Sequence, residues 1–183
     1  TPVNVKAVLH DQTGEKISSI AIITIKSAKG KIIEQREKAT DEFLQYNVDY
    51  DERPGDWIVY AVSNKLSSET TFKIKEKQSA EFQLINRTLM ITNTGNVPYN
   101  KPALVKVGND SLNIETSIGV GKSQKYILSA PDGEYSVEVI TDGESKFSKT
   151  VLLTGNVITI RGISNTTTII RHPAVWFFII AIF

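Results

Sequence analysis

Apolar and polar residues alternate along most of this chain with a period of two, and the helical period is nearly absent. Residues 3–9 alternate in this way, and residues 20–25 form a β-branched run typical of a central strand buried on both faces. Turns rich in Asn, Asp and Gly separate such segments at intervals of about eight to twelve residues. The pattern predicts an all-β protein built from antiparallel β-sandwiches.

The length of the chain and an internal echo indicate two modules. A chain of 183 residues suits one large domain or two domains of about 80 residues each, and the echo favours two. Residues 54–61 align with residues 131–139, because each segment runs from a turn through an acidic residue to an aromatic one, Trp57 or Tyr135. We therefore predict two tandem antiparallel β-sandwiches, at residues 1–80 and 81–163. In each of them the aromatic side chain is expected to close one end of the sandwich.

The chain ends on eleven residues without a polar side chain, 173–183. Such a run is typical of the start of a transmembrane helix, although at about 1.5 Å per residue it spans only roughly half of a hydrocarbon core. We predict a polar linker at residues 164–172, followed at 173–183 by the start of a membrane anchor that is cut partway. A buried C-terminal β-strand and an interfacial or oligomerising tail are the alternatives. The predicted anchor side chains are Trp176, Phe177, Phe178, Ile179 and Ile180.

Charge and cysteine content argue against nucleic-acid binding and against sites that need cysteine. The net charge is +1 with both signs interspersed, so the chain has no basic patch and nucleic acid is not an expected partner. Cysteine is absent, which excludes disulfides and thiolate metal sites.

Three triplets match the acceptor pattern for N-glycosylation, at Asn86, Asn109 and Asn165. Such triplets also arise by chance, so one alone would mean little. Combined with a terminal anchor, they favour a location outside the cytoplasm.

Groups that could perform catalysis are scarce. The two histidines, His10 and His172, lie before a turn and beside the predicted membrane edge, and no nucleophile-elbow motif is present. Residues 119–123 end like a phosphate-binding loop, but Thr116 stands where that motif needs its first glycine, so a hairpin turn is favoured. We predict no enzyme activity, no catalytic residue and no cofactor.

One acidic stretch is a weak candidate for a calcium site. Asp49, Asp51 and Asp56 supply carboxylates of the kind that loops at the ends of β-sandwiches use to bind Ca²⁺. The spacing is not that of an EF-hand, and Arg53 would oppose a cation, so a solvated acidic loop is the favoured interpretation. An enzymatic function would need a metal ion at these three residues.

Several turn and core segments resemble known families. Residues 89–102, which read LMITNTGNVPYNKP, resemble the opening of adhesion-related, CARDB-like Ig-fold domains in archaeal cell-surface proteins, and residues 130–135 and 153–156 are similar to the same module. Residues 11–14 and 54–61 resemble macroglobulin-like or bacterial-Ig-like domains. The resemblance implies an Ig fold and a surface location, and it supplies no catalytic residue.

These observations together predict a non-enzymatic, single-pass membrane protein with an extracytoplasmic part that serves adhesion, interaction or the structure of the cell envelope. Its expected partners are other surface or membrane proteins, with glycans as a further class. The alternative function is an accessory subunit of a membrane protein complex, whose extracytoplasmic part scaffolds the partners.

Overall fold

A computed structural model gives the structure of residues 2–163. The predicted linker, the candidate glycosylation site Asn165 and the predicted anchor residues Trp176, Phe177, Phe178, Ile179 and Ile180 lie outside the described residues.

Residues 2–163 form β-strands joined by turns and contain no helix, so the prediction of an all-β protein is confirmed for this part of the chain. The strand pairs with a defined register are antiparallel. The strands are β1 (Pro2–Val5), β2 (Ile20–Lys26), β3 (Ile32–Ala39), β4 (Leu44–Asn47), β5 (Gly55–Ser63), β6 (Leu66–Ile74), β7 (Ala80–Ile85), β8 (Thr88–Asn93), β9 (Ala103–Val107), β10 (Asp110–Ile114), β11 (Ser123–Ser129), β12 (Gly133–Thr141), β13 (Glu144–Leu153) and β14 (Thr159–Gly162).

The described chain divides into two compact units. The first contains residues 2–81 together with the segments Asn93–Asn100 and Ser117–Lys122. The second contains Phe82–Thr92, Lys101–Thr116 and residues 123–163. The division into domains at residues 80 and 81 stays a prediction.

The first unit is sandwich-like, with a two-stranded sheet (β1-β4) and a four-stranded sheet of order β3-β2-β5-β6. Both sheets contribute to one buried cluster, which includes Trp57. Trp57 is fully buried, its Nε1 donates to the carbonyl of Arg53 (3.0 Å), and its ring lies 6.0 Å from that of Tyr46 and 5.9 Å from that of Phe72. Trp57 is thus a core aromatic of the first unit, and its predicted place at one end of the sandwich stays a prediction.

The second unit has two four-stranded sheets, of order β10-β9-β12-β13 and β14-β11-β8-β7. Buried side chains alternate with more exposed ones along β8, β9 and β12, as expected for strands with one face toward a core. Tyr135 is only half-buried, in contrast to Trp57, although the two residues begin similar strands.

One turn of the first unit is held to the segment at residues 75–79 by several hydrogen bonds, three of which involve Asn96. The side-chain amide nitrogen of Asn96 donates to the carbonyl of Lys75 (2.9 Å), and its Oδ1 accepts from the backbone N–H of Lys77 (2.7 Å). Its own backbone N–H donates to the carbonyl of Lys77 (3.0 Å). A Cβ on the neighbouring Gly95 would lie 2.0 Å from the Lys77 carbonyl oxygen, so only glycine fits this approach.

The structure corrects the expectation for residues 20–25. β2 is a central strand, as predicted, but it is not buried on both faces. Ala21, Ile23 and Ile25 face the core, whereas Ile20 and Ile22 on the opposite face are 59% and 38% exposed.

Candidate interaction surface

An apolar surface lies on the outer side of β2 and β5, the two central strands of the first unit's four-stranded sheet. Side chains alternate between the two faces of a strand, so the even-numbered residues of β2 and β5 point away from the core that Ile23 and Trp57 occupy. We call this surface the outer apolar face. It consists of Ile20, Ile22, Ile58, Tyr60 and Val62.

Cross-strand register makes the outer apolar face continuous. Ile22 lies opposite Val62, and Lys26 lies opposite Ile58. Between these pairs Thr24 lies opposite Tyr60 and is only 5% exposed. Directly opposed side chains on one face of a sheet are in contact range, so these residues form one patch rather than scattered exposed positions.

The rim of the outer apolar face is polar. On one side β3 places Glu37 opposite Ile22 and Gln35 opposite Thr24. On the other side β6 places Glu69 opposite Tyr60 and Ser67 opposite Val62. An apolar centre with a polar, hydrated rim is the usual anatomy of a protein–protein interface.

Lys26 adds a cation to one end of the face. Its Nζ lies 5.4 Å from the centroid of the Tyr60 ring, within the range of a cation–π interaction. The ammonium group of Lys26 therefore lies over the Tyr60 ring at the edge of the patch.

A small cleft opens at the side of the first unit, between residues 5–9 and β6. It has a volume of about 130 Å³ and is lined by Ala7, Ala61 and Ser68, among others. Pockets for small organic ligands usually have volumes of roughly 300–1,000 Å³. The cleft is thus too small for such a ligand.

The second unit has a broad, shallow depression of about 560 Å³ near three of its loops. Asn109, Asp110 and Asn156 line it together with Tyr135. The Tyr135 ring packs against Gly108, where an added Cβ would lie 3.2 Å from the ring. Part of the Tyr135 ring surface is therefore already in contact with the neighbouring turn and is not available to a ligand.

The acidic residues of the weak calcium candidate are exposed. Asp49 and Asp51 lie in the loop between β4 and β5, and Asp56 lies in β5 opposite Lys73. The nearby Glu52 accepts a hydrogen bond from the Tyr46 hydroxyl (3.2 Å). No three His, Cys, Asp or Glu side chains within residues 2–163 come together in a way that could hold a metal ion.

Two of the candidate glycosylation sites lie at hairpin turns. Asn86 lies at the turn between β7 and β8 with a φ of 52°, and Asn109 lies at the turn between β9 and β10. Both side chains are exposed, as a glycan acceptor must be. Their modification stays a prediction.

The remaining motif residues take turn conformations. His10 is exposed and forms an isolated bridge with Lys16. At residues 119–122 the N–H of Lys122 donates to the carbonyl of Gly119 (3.0 Å), and the strand β11 follows. A phosphate-binding loop leads into a helix instead. Residues 119–122 form a turn as predicted, but it is not a hairpin, because β10 and β11 lie in different sheets.

Two groups of the first unit have strongly shifted pKa values. Hydrogen bonds from Lys16 and Lys6, each 2.5 Å from the carboxylate, lower the pKa of Asp41 to about 2. Burial, reinforced by the Glu52 charge, raises the pKa of Tyr46 to about 12. Neither residue belongs to the outer apolar face, and both shifts follow from contacts that stabilise the fold.

The alternation of side chains along a strand puts Ile58, Tyr60 and Val62 on the same face, but it does not show that this face is exposed to solvent. The detectable signal was that two strands, β2 and β5, are apolar on both faces.

Residues 2–163 include no helix with the length and apolar character needed to traverse a bilayer. Comparisons with protein-family models, with curated proteins and with solved structures find no match for this chain.

Proposed function

We propose that this chain is a non-enzymatic, membrane-anchored protein of two tandem Ig-like β-sandwiches that acts outside the cytoplasm by binding another protein. The binding surface is the outer apolar face. The observation that carries the proposal is the exposure of Ile20 and Ile22 beside Tyr60 and Val62 on a central part of a sheet. Large exposed apolar patches with polar rims mark interaction sites, whereas isolated exposed apolar residues need no explanation.

The sequence supports the location of this function. The apolar run at residues 173–183 supplies the anchor, and the exposed sites at Asn86 and Asn109 suit a glycosylated extracytoplasmic part. The mechanism is presentation: packed β-sheets hold the outer apolar face in a fixed shape, so that little conformational entropy is lost on binding.

Tryptophan fluorescence tests the anchor, because the chain contains two tryptophans, Trp57 and Trp176. The full chain carrying Trp57→Phe, reconstituted in phospholipid vesicles, reports on Trp176 alone. We expect lipids brominated on their acyl chains to quench this emission, since quenching requires contact with the bilayer interior.

The matched control is the chain carrying Trp176→Phe, which reports on the fully buried Trp57. Its emission should be unaffected by brominated lipid. Equal quenching of both variants, or no quenching of Trp176, would contradict the membrane anchor.

A further inference from the structure

We propose that the outer apolar face binds the same face of a second copy of this chain, which gives a twofold-symmetric dimer by packing sheet on sheet. This inference rests on the proposed use of the outer apolar face and names its partner. An interface of this kind uses one patch on both subunits and closes at two copies.

The dimensions of the sheet suit such a dimer. Four strands at about 4.8 Å spacing, and the seven residues of β2 at about 3.3 Å each, cover a face of roughly 19 by 23 Å. Two such faces together amount to about 900 Å² in plan, and projecting side chains increase the accessible area. The whole sheet face, with its polar rim, therefore comes close to the roughly 1,000 Å² expected of a specific interface.

The charges on this side of the sheet favour a copy of the chain over a strongly charged partner. They have mixed sign, and two of them, Asp56 and Lys73, lie directly opposite each other on neighbouring strands. The others are Lys26, Glu37 and Glu69. A face with nearly balanced charge does not repel its own copy, whereas a highly charged partner would find no complementary field here.

The register also avoids like charges in the dimer. We place the twofold axis in the interface, perpendicular to the strands and between the rows of Ile22 and Thr24. Each strand then packs over its symmetry mate in the reverse direction. In that arrangement Glu37 meets Gln35 of the second copy, since both lie on β3. On β6, Glu69 likewise meets Ser67.

The chain contains no cysteine, so a single introduced cysteine is the only thiol available for cross-linking. The full chain carrying Ile22→Cys, in detergent, is treated with a short bismaleimide, and the products are separated by size. Ile22 lies beside the proposed axis, so we expect a covalent dimer and no larger species. The matched control is Leu152→Cys, which is 76% exposed on a strand of the second unit. It should remain monomeric.

A charge placed at the centre gives a second, independent measurement. Ile22→Glu places two carboxylates close together in the dimer, and sedimentation equilibrium should show dimerisation at least about 10-fold weaker. Leu152→Glu should leave dimerisation unchanged. Circular dichroism verifies that both variants are folded. If Ile22→Glu does not fold, the Ile22→Cys cross-linking result still tests the dimer. The apolar tail is the same in every variant, so it does not explain a difference between them.

Each outcome has a defined meaning. Failure of Ile22→Cys to cross-link, at a labelling efficiency equal to that of Leu152→Cys, would overturn the dimer. Equal cross-linking of Ile22→Cys and Leu152→Cys would overturn it as well. A monomer whose label at residue 22 reports apolar surroundings in vesicles would assign the face to lipid and overturn the proposal. Cross-linking without quenching of Trp176 would refute the anchor and leave the dimer standing.

Discussion

Among individual residues, Asp41 connects segments that are distant in sequence. Its carboxylate accepts from the Nζ atoms of Lys6 and Lys16, which lie 35 and 25 positions away. Its backbone has a φ of 68°, a left-handed conformation that Asp and Asn tolerate better than most residues. The residue thus combines a turn with an ion pair to two cations.

The lowered pKa of Asp41 predicts a loss of stability in acid. A group with a depressed pKa stabilises the fold above its unfolded value, here 3.8, and that contribution disappears as the pH falls toward about 2. Asp41→Asn keeps the left-handed backbone accessible but removes the charge. Denaturation midpoints measured between about pH 5 and pH 2 should therefore fall less steeply for the variant. Superimposable slopes would show that the two lysines contribute nothing to stability.

Tyr46 predicts the opposite dependence, in alkali. Its pKa is raised by burial to about 12, so the folded chain holds the phenolic proton more tightly than the unfolded chain does. Its contribution to stability is complete below about pH 10 and is lost as the pH rises toward about 12. Tyr46→Phe should flatten the alkaline part of a stability profile. An unchanged profile would contradict this assignment.

Contacts between residues this far apart in the chain could not be predicted from the sequence. The turn around Asp41 and the polar residues near it are visible in the pattern, but nothing local indicates that Lys6 and Lys16 converge on one carboxylate. The same holds for Asn96, whose partners Lys75 and Lys77 lie 21 and 19 positions away. Alternation predicts which face a residue occupies and leaves its distant partner undetermined.

At the level of strands and turns, the sequence predicted well where strands lie along the chain and predicted poorly which strand faces are buried. Turn residues such as Gly30 and Gly143, which have φ values of 77° and 76°, mark real strand ends. The β-branched run at residues 20–25 correctly predicted a central strand, β2. The same run wrongly predicted burial on both faces. An apolar side chain such as Ile22 favours burial, but the sequence does not show whether this chain or a partner covers it.

The close approach at Gly95 gives a prediction for the turn that Asn96 holds. In Gly95→Ala the added methyl would lie 2.0 Å from the carbonyl oxygen of Lys77, which is backbone and cannot rotate away. We expect a loss of at least about 1–3 kcal/mol in the free energy of unfolding, the usual range for overpacking. Gly119→Ala is the control, since its nearest neighbour is the flexible side chain of Lys122 at 3.7 Å. Equal effects of the two substitutions, measured in urea, would contradict the steric argument.

Trp57 organises the core between the two sheets of the first unit. Trp57→Ala removes the largest fully buried side chain and should destabilise the unit by about 3–5 kcal/mol. Trp57→Phe keeps most of the volume and loses the hydrogen bond to Arg53, so its effect should be smaller. Denaturation curves for both variants test this order. An Ala variant as stable as the Phe variant would show that the cavity collapses.

For the molecule as a whole, the all-β architecture was predictable because turn chemistry and alternation are local signals. The Ig-like identity of the two units stays a proposal because no family model or solved structure matches the chain. The anchor and the extracytoplasmic location stay proposals because they depend on residues 164–183. The outer apolar face connects these levels. A surface that weakly favours association becomes effective when an anchor confines its copies to a membrane.

Confinement predicts a difference between detergent and vesicles. In detergent, the cross-linked fraction of the Ile22→Cys chain should fall when the protein is diluted about 100-fold, because association is then bimolecular. In vesicles at a constant ratio of protein to lipid, dilution leaves the surface density unchanged, so the fraction should stay constant. Equal sensitivity to dilution in both settings would show that the copies are not held on the membrane.

The position of β6 at the edge of its sheet has one more consequence. From Leu66 to Thr71 both faces of this strand are exposed, and within residues 2–163 its free edge has no pairing strand. The charged side chains of Glu69 and Lys73 discourage lateral addition of further strands. A variant that replaced both with valine would present a long, uncharged template, and concentrated samples would be prone to grow into fibrils instead of stopping at a closed pair.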